Sequence, residues 1–256
     1  MITLDGNLVY FGGLRGPYGT MAEKAAMLRD WHIPLPLAMD PVLAAGIFNP
    51  AMSSLLALKY RGKFVKGETV LIMGATGASG KLAVQIAKIM GAAKVIAAGR
   101  NKVILQSLQE LGADETICLD DNDENLHRLF VETFAKNNIN VVIDYLWGHP
   151  TEILINAITG RDLSIGKETV RLVEVGAIAG SHISLPAAAL RSSGLEIYGS
   201  GGGSVSPQLI KASFPEIIAM VMEGKLSLDL VTMPLKEVDS AWTRDDIKGA
   251  RLVITI

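Results

Sequence analysis

An apolar run of strand length, Val70-Leu71-Ile72-Met73, passes directly into Gly74-Ala75-Thr76-Gly77-Ala78-Ser79-Gly80 and then into Lys81-Leu82-Ala83, which opens a helix. Strand, glycine-rich turn and helix in immediate succession are what binding a dinucleotide pyrophosphate by backbone atoms requires. One glycine lets the chain reverse sharply, a second admits phosphates close to the backbone, and a third lets the helix pack on the strand. The helix N-terminus then offers free N–H groups and positive dipole density to an anion. The spacing Ala75-x-Gly77-x-x-Gly80 relaxes the three-glycine pattern by one residue. Alone it is a weak signal, because glycine turns between strand and helix are common.

The downstream sequence supplies the context. A helix with Leu82, Ile86 and Ile89 on one face runs to Gly91, followed by a strand at Val95–Ala98 and a helix over Val103–Leu111 stopped by Gly112. Thr116–Leu119 is a third strand. A helix bearing Leu126, Leu129, Phe130 and Phe134 follows, then strands at Val141–Ile143, Arg171–Ala177 and Leu195–Tyr198 and a helix over Pro207–Met222. Short apolar strands alternating with amphipathic helices predict right-handed βαβ units and a doubly wound parallel sheet, the Rossmann arrangement of an α/β protein. The two ends break this rhythm. Leu8–Phe11 reads as a strand, Gly12-Gly13 and Gly16-Pro17 as turns, and Gly19–Met27 as either strand or helix. Trp31–Pro36 reads as extended, because alternate prolines forbid helix. A short helix starts at Pro41 and a second runs over Ala51–Tyr60. The tail holds a strand at Val231–Pro234, a helix near Val238–Asp245 and a terminal strand at Arg251–Ile256. The cofactor domain is therefore expected over 47–227, with 1–46 and 228–256 forming a second β domain.

Composition narrows the function classes. A net charge of −2 gives no electrostatic reason to expect nucleic acid or an acidic membrane surface as partner. One cysteine, Cys118, rules out an intramolecular disulfide and fits a reducing compartment; as a lone strand cysteine it is expected in the core. The first five residues lack the pattern of a signal peptide. Residues 41–58 carry no charge before Lys59, but their prolines, Gly46, Asn49 and two serines favour a buried segment over a membrane span. The expected setting is the cytoplasm.

The end of the second strand tests the dinucleotide reading. An NAD-preferring site places Asp or Glu there for the ribose hydroxyls. Here the chain reads Gly99-Arg100-Asn101-Lys102, with no carboxylate and two cations. Arg100 can grip a 2′-phosphate through two parallel hydrogen bonds, so the site points to NADP(H). Glycines at other strand ends permit close approach to the same ligand: Tyr145-Leu146-Trp147-Gly148, Gly176-Ala177 and Gly199-Ser200. Other chemistries lack their residues. Gly80-Lys81 has no hydroxyl residue after it for a nucleotide triphosphatase loop. His32, His127, His149 and His182 are scattered, giving no metal-ligand spacing. No tyrosine has a lysine four residues on, and no nucleophile elbow occurs in a strand-to-helix context.

Gly67-Glu68-Thr69-Val70-Leu71-Ile72 leading into Gly74–Gly80, then Ala83-Val84-Gln85-Ile86-Ala87-Lys88 and Gly91-Ala92, resembles the medium-chain dehydrogenase/reductase superfamily. Within it the similarity is to the zinc-less, quinone-oxidoreductase-like branch. Asn49-Pro50-Ala51-Met52-Ser53-Ser54 matches the helix before the cofactor domain, and the tail from Ala241-Trp242 to Ile254 matches the closing segment. The resemblance implies a partial GroES-like β domain from the two chain ends. It also implies hydride transfer from NADPH to a quinone or an α,β-unsaturated carbonyl compound, with no metal. Ala75, Thr76, Gly77, Ala78, Ser79 and Gly80 would hold the pyrophosphate. Gly99, Arg100, Asn101 and Lys102 would read the adenosine end. Ser53, Leu146, Gly176, Ala177, Gly199 and Ser200 would position the nicotinamide, and Asn49 and Pro50 stand where zinc relatives place a metal ligand. The resemblance further implies a homodimer paired through the strand at Leu195–Tyr198. Two departures accompany it. Leu119 replaces a tyrosine that some quinone reductases carry, and the family strands that precede Met1 in the alignment have no counterpart. No catalytic residue is identified, and an NADP(H)-binding sensor or remnant without turnover is the alternative.

Overall fold

The structure, a computed structural model, describes residues 5–12, 19–27, 31–160 and 169–256. The expected turns at Gly13 and Gly16-Pro17, and the expectation for the first four residues, lie outside them. In chain order the elements begin with β1 (Val9–Phe11), β2 (His32–Pro34) and α1 (Pro41–Leu56). Then come β3 (Thr69–Met73), α2 (Ala78–Ile89), β4 (Lys94–Gly99), α3 (Lys102–Ser107), β5 (Glu115–Cys118), α4 (Asp123–Lys136) and β6 (Ile139–Asp144). The chain continues through α5 (Gly148–Thr159), β7 (Val170–Glu174), α6 (Ala187–Arg191), β8 (Leu195–Gly199) and α7 (Pro207–Met222). It finishes with β9 (Leu230–Pro234), α8 (Val238–Trp242) and β10 (Arg251–Thr255).

Two compact units divide these elements. The first joins residues up to Met52 with Pro207–Ile256; the second is Ser53–Ser206. The division thus falls after 52 and 206, where the sequence reading placed it after 46 and 227, and α7 goes with the chain ends. The second unit is built on a six-stranded parallel sheet of order β5-β4-β3-β6-β7-β8, the doubly wound Rossmann order. Its central strands are apolar on both faces, as strands covered twice must be. Leu71, Ile72, Ile96, Val142, Ile143 and Leu172 have no exposed surface. Leu126, Phe130 and Phe134 of α4 and Leu154, Ile155 and Ala157 of α5 pack in one cluster with Leu71, Ile96, Val142 and Leu172. Two members of the expected stripes, Ile89 and Leu129, are more than a third exposed, since each sits where its helix face turns away from the sheet. Helix α5 was not read from sequence. Cys118 is half-buried at the end of β5 rather than in the core, its thiol 4.0 Å from the Arg100 carbonyl.

In the first unit β1 pairs antiparallel with β2, and β9 parallel with β10. The expected partial GroES-like domain falls on this unit, whose described strands form only these two pairs. Residues 19–27 adopt neither strand nor helix. The two expected helices at Pro41 and Ala51 are one helix, α1, with Pro50 inside it, continuing through a π-turn at Ala57–Arg61. A proline in a helix interior costs about 3 kcal/mol. Ile47, Phe48, Ala51 and Leu55 around it are wholly buried, and each large side chain returns about 1.5–3 kcal/mol. Burial therefore outweighs the break. Gly46, whose carbonyl faces the Pro50 ring, lies so close to β9 that a Cβ there would meet Leu230 Cδ2 at 2.6 Å. Pro41–Arg61 is also long and apolar enough to cross a membrane by length and composition, but 67% of that window is buried in the protein.

Candidate functional site

The residues singled out from sequence converge because five parallel strands end in register. Met73 lies opposite Ala98 and Asp144, Asp144 opposite Glu174, and Glu174 opposite Gly199. The loops that begin at Gly74, Gly99, Tyr145, Val175 and Ser200 therefore leave from one edge of the sheet, around the switch point between β3 and β6 where the strand order reverses.

Three glycines of the first loop do three different jobs. Gly74 has φ +83°, the left-handed region that favours glycine. Gly80 lies against the strand end: a Cβ there would fall 2.4 Å from the Gly74 carbonyl oxygen and 2.5 Å from Ala75 Cα. Gly77 has an ordinary extended backbone, φ −82° and ψ 166°, and its missing Cβ would come no closer than 3.6 Å to protein. Neither backbone nor packing demands glycine at 77. The space above it is open, and a side chain would fill it. Gly77 is also the N-cap of α2 and gives no side-chain cap, which leaves the first-turn N–H groups at Ala78–Gly80 for an anion. Ala75 differs: its side chain is buried and its N–H donates to the Ala98 carbonyl at 2.8 Å, so it shapes the turn and offers no donor.

At the end of β4, Gly99 is covered by Thr76, whose Cγ2 would lie 2.5 Å from a Cβ at that position. Arg100 and Lys102 are exposed. Among the described residues the Arg100 side chain has no hydrogen-bond or ion-pair partner. Asn101 is the N-cap of α3, its side-chain oxygen accepting the N–H groups of Val103 and Ile104 at 3.1 Å. Its observed role is to start the helix that presents its two cationic neighbours.

The residues expected beside the nicotinamide surround a hydrogen-bond network that sequence reading did not anticipate. Ser54, wholly buried beside half-exposed Ser53, donates to the Ser79 carbonyl at 3.2 Å and lies 2.8 Å from the Tyr145 hydroxyl. Because the Ser54 proton goes to Ser79, the Tyr145 O–H donates to Ser54. Burial pushes the Tyr145 phenol up to about 12, with the Ser54 and Ser53 hydroxyls pulling the other way. Asp144, the last residue of β6, has no exposed surface and accepts from Leu146 N–H at 2.8 Å, Trp147 N–H at 3.2 Å and Thr151 Oγ1 at 2.6 Å. Burial raises its carboxyl above the ordinary aspartate range, and these hydrogen bonds oppose the rise. Neighbouring Glu174 is also raised, by burial first and then by the Asp144 charge. The grip of Asp144 holds Trp147 at φ 51° and ψ −163°, a region otherwise kept to glycine. Leu146 is thereby set against Gly74, where a Cβ would meet its Cδ2 at 3.1 Å. The next loop is zipped to this one: Gly176 N–H donates to the Asp144 carbonyl at 3.2 Å and Ala179 N–H to that of Leu146 at 2.8 Å. Ala177 is exposed beyond Gly176. Ser200 is buried with its N–H on the Glu174 carbonyl at 2.7 Å, and Arg61 Nε donates to the Gly199 carbonyl at 2.6 Å. The one sequence signal for this network was a carboxylate closing the apolar run Val141-Val142-Ile143-Asp144.

Comparison with known proteins bears on the family and the fold. Residues 78–223, more than half of the chain, match the family described as zinc-binding dehydrogenase. A probable NADPH-dependent quinone reductase, tdiC of Emericella nidulans, is 31% identical over 228 residues, covering 84% of this chain and 62% of that protein. A quinone oxidoreductase-like protein 2 homolog of Nematostella vectensis is 27% identical over 219 residues, 84% of this chain and 56% of that one. The chain thus spans about three fifths of the length of these relatives. Among solved structures, a quinone oxidoreductase of Pseudomonas syringae pv. Tomato DC3000 superposes with a TM-score of 0.77 at 22% identity, covering 98% of this chain and 75% of that one. The chain belongs to the medium-chain dehydrogenase/reductase superfamily, in its quinone-oxidoreductase-like branch.

Proposed function

We propose that the chain is an NADPH-dependent, zinc-independent oxidoreductase that passes hydride to a quinone or an α,β-unsaturated carbonyl compound. The observation that carries the cofactor choice is Arg100: exposed, free of partners among the described residues, and placed one residue past the Gly99–Thr76 contact with no carboxylate in the loop. A guanidinium there pairs with a 2′-phosphate, and Lys102 adds charge. The first turn of α2 receives the pyrophosphate. Ser53, Leu146, Gly176, Ala177, Gly199 and Ser200 orient the nicotinamide, which when bound supplies the hydride. Zinc independence is supported by the donor set: among the described residues no three His, Cys, Asp or Glu side chains gather to hold a metal. The Tyr145 phenol, committed to Ser54 and raised to about 12, is poorly placed to release a proton at neutral pH. The reaction then rests on proximity and a dry site, with water as the proton source.

NADPH and NADH titrations of the wild-type chain and Arg100→Ala test the reading. NADPH binding should weaken by about 1.5–3 kcal/mol, the scale of a hydrogen bond to a charged group, with NADH little changed. Equal losses for both cofactors would remove the role given to Arg100. NADPH binding without NADPH consumption on quinones and enals would leave the sensor reading in place of the enzyme. The reading carries a cytoplasmic setting. The unpaired edge of β8 supports a homodimer, for which sedimentation velocity is the check.

A further inference from the structure

The first unit contains a cavity of about 320 Å³ whose walls are rich in aromatic side chains. Tyr10 from β1, Phe48 from α1 and Phe214 from α7 lean on one another with ring centroids 5.0, 5.6 and 5.8 Å apart, two of the three pairs edge-on. Three interlocked rings make a stiff apolar wall, and Trp31, 44% exposed, adds an indole to the lining. The volume sits at the small end of the roughly 300–1,000 Å³ range of small-molecule pockets, which suits one or two fused rings.

The polar part of the lining is one-sided. Asn49 offers an amide, and His32 Nδ1 is buried without any hydrogen-bond partner. No carboxylate is among the described residues of the lining. Lys211 brings a fixed positive charge, is exposed, and has no ion pair or hydrogen bond among the described residues. Arg251 adds positive potential that reaches the Tyr10 hydroxyl and opposes the upward push of burial on that phenol. Electron-poor flat rings stack on electron-rich Tyr, Phe and Trp. An oxygen substituent bearing negative charge can pair with Lys211, which a neutral ring of the same shape leaves to water.

We infer that this cavity binds anionic, flat, one- or two-ring carbonyl compounds, with Lys211 as the residue that selects their charge. The inference deepens the oxidoreductase reading and rests on it only for turnover. Binding itself needs no cofactor.

Calorimetric titration of the whole chain without cofactor tests it. The probes are 2-hydroxy-1,4-naphthoquinone, an anion at neutral pH, and uncharged 1,4-naphthoquinone, which has the same rings. The anion should bind about tenfold tighter or more, as a charge-assisted hydrogen bond requires. Lys211→Met should reduce that ratio to near one without weakening the neutral probe, and Lys211→Arg should restore it. Lys211 is exposed, so these variants leave the packing intact. Equal affinities in the wild type, an unchanged ratio in Lys211→Met, or no binding of either probe overturns the inference. Loss of probe binding with NADPH binding intact overturns this inference alone. Loss of NADPH binding with the anion still held overturns the dehydrogenase reading alone.

Discussion

The two edges of the six-stranded sheet are built from the same strands and treat polar groups in opposite ways. At the edge where the strands begin, charges are spent on one another. Lys94 at the start of β4 reaches Glu115 at 3.0 Å and Asn137 at 2.7 Å, and Lys136 joins the same carboxylate at 3.0 Å. Asp114 takes Lys88 at 2.6 Å and the Val95 N–H at 2.7 Å. Arg171 of β7 holds Glu68 and the carbonyls of Gly62 and Lys63. At the edge where the strands end, Arg100 has no partner among the described residues, α2 starts without a side-chain cap, and Gly77 opens onto empty space. Its one fully buried carboxylate, Asp144, turns inward to hold backbone. One edge is finished by the protein itself. The other leaves donors and cations unspent, which is the physical signature of a surface shaped for an anionic ligand.

The contrast can be broken at three points. The largest effect is expected at Gly80, where a Cβ meets backbone that cannot yield. Gly80→Val should cost about 3 kcal/mol, the upper range of overpacking, seen as a fall in the urea midpoint. Gly77→Ala, three residues away, should leave that midpoint within about 0.5 kcal/mol while lowering NADPH affinity. If Gly77→Ala destabilises as Gly80→Val does, the glycine turn is packing throughout and the open edge loses its meaning. Next comes Asp144. Removing its carboxylate strands the Leu146 and Trp147 N–H groups, at about 2 kcal/mol, and frees Trp147 from its glycine-like conformation. Asp144→Ala should therefore lower Tm and raise the KM for NADPH. Asp144→Asn keeps one oxygen for both N–H groups, and the Thr151 hydroxyl can turn to accept from the new amide, so most of the loss should be recovered. Equal losses in the two variants would show that the carboxylate does not act through those hydrogen bonds.

The smallest effect belongs to the closed edge. Lys94 and Lys136 hold the Glu115 carboxyl below its ordinary value of 4.5. A carboxylate depressed in the folded state adds stability above its unfolded pKa and loses it as pH falls through the folded one. Glu115→Gln should cost under about 1 kcal/mol at pH 7, the scale of a partly exposed pair. The difference from wild type should vanish in acid, below 4.5. NADPH binding at pH 7 should not change, and a change would show that the two edges are coupled.

Much of this was legible in the chain. The strands around Val70–Tyr198, and the helices α2, α3 and α4, announced themselves because strands buried on both faces must be apolar runs and their helices must show a stripe, whereas α5 and α6 did not. Gly74, Gly80, Gly99 and Arg100 were legible because a tight turn, a close approach and a free cation are each tied to one residue type. Less legible were the places where a distant contact overrides a local preference. Pro50 predicts a helix boundary, yet burial of Ile47, Phe48 and Leu55 carries α1 through it. Asn101 reads as a ligand contact, and only the structure shows that its side chain also caps a helix. Ser53 was matched by position, and its wholly buried neighbour Ser54, which joins Tyr145 to Ser79, carried no local signal.

What the sequence determined by itself was the order of the sheet strands, the position of the glycine turn and the sign of charge after β4. Each depends on periodicity or on the chemistry of a few neighbouring residues. Tertiary structure alone decided which glycine is needed for packing and which for open space, since that depends on atoms far along the chain. It also decided that Asp144 would be spent on backbone and the Arg100 side chain left without a partner among the described residues. A side chain's partners are set by where the sheet register brings other strands, and local sequence does not encode that.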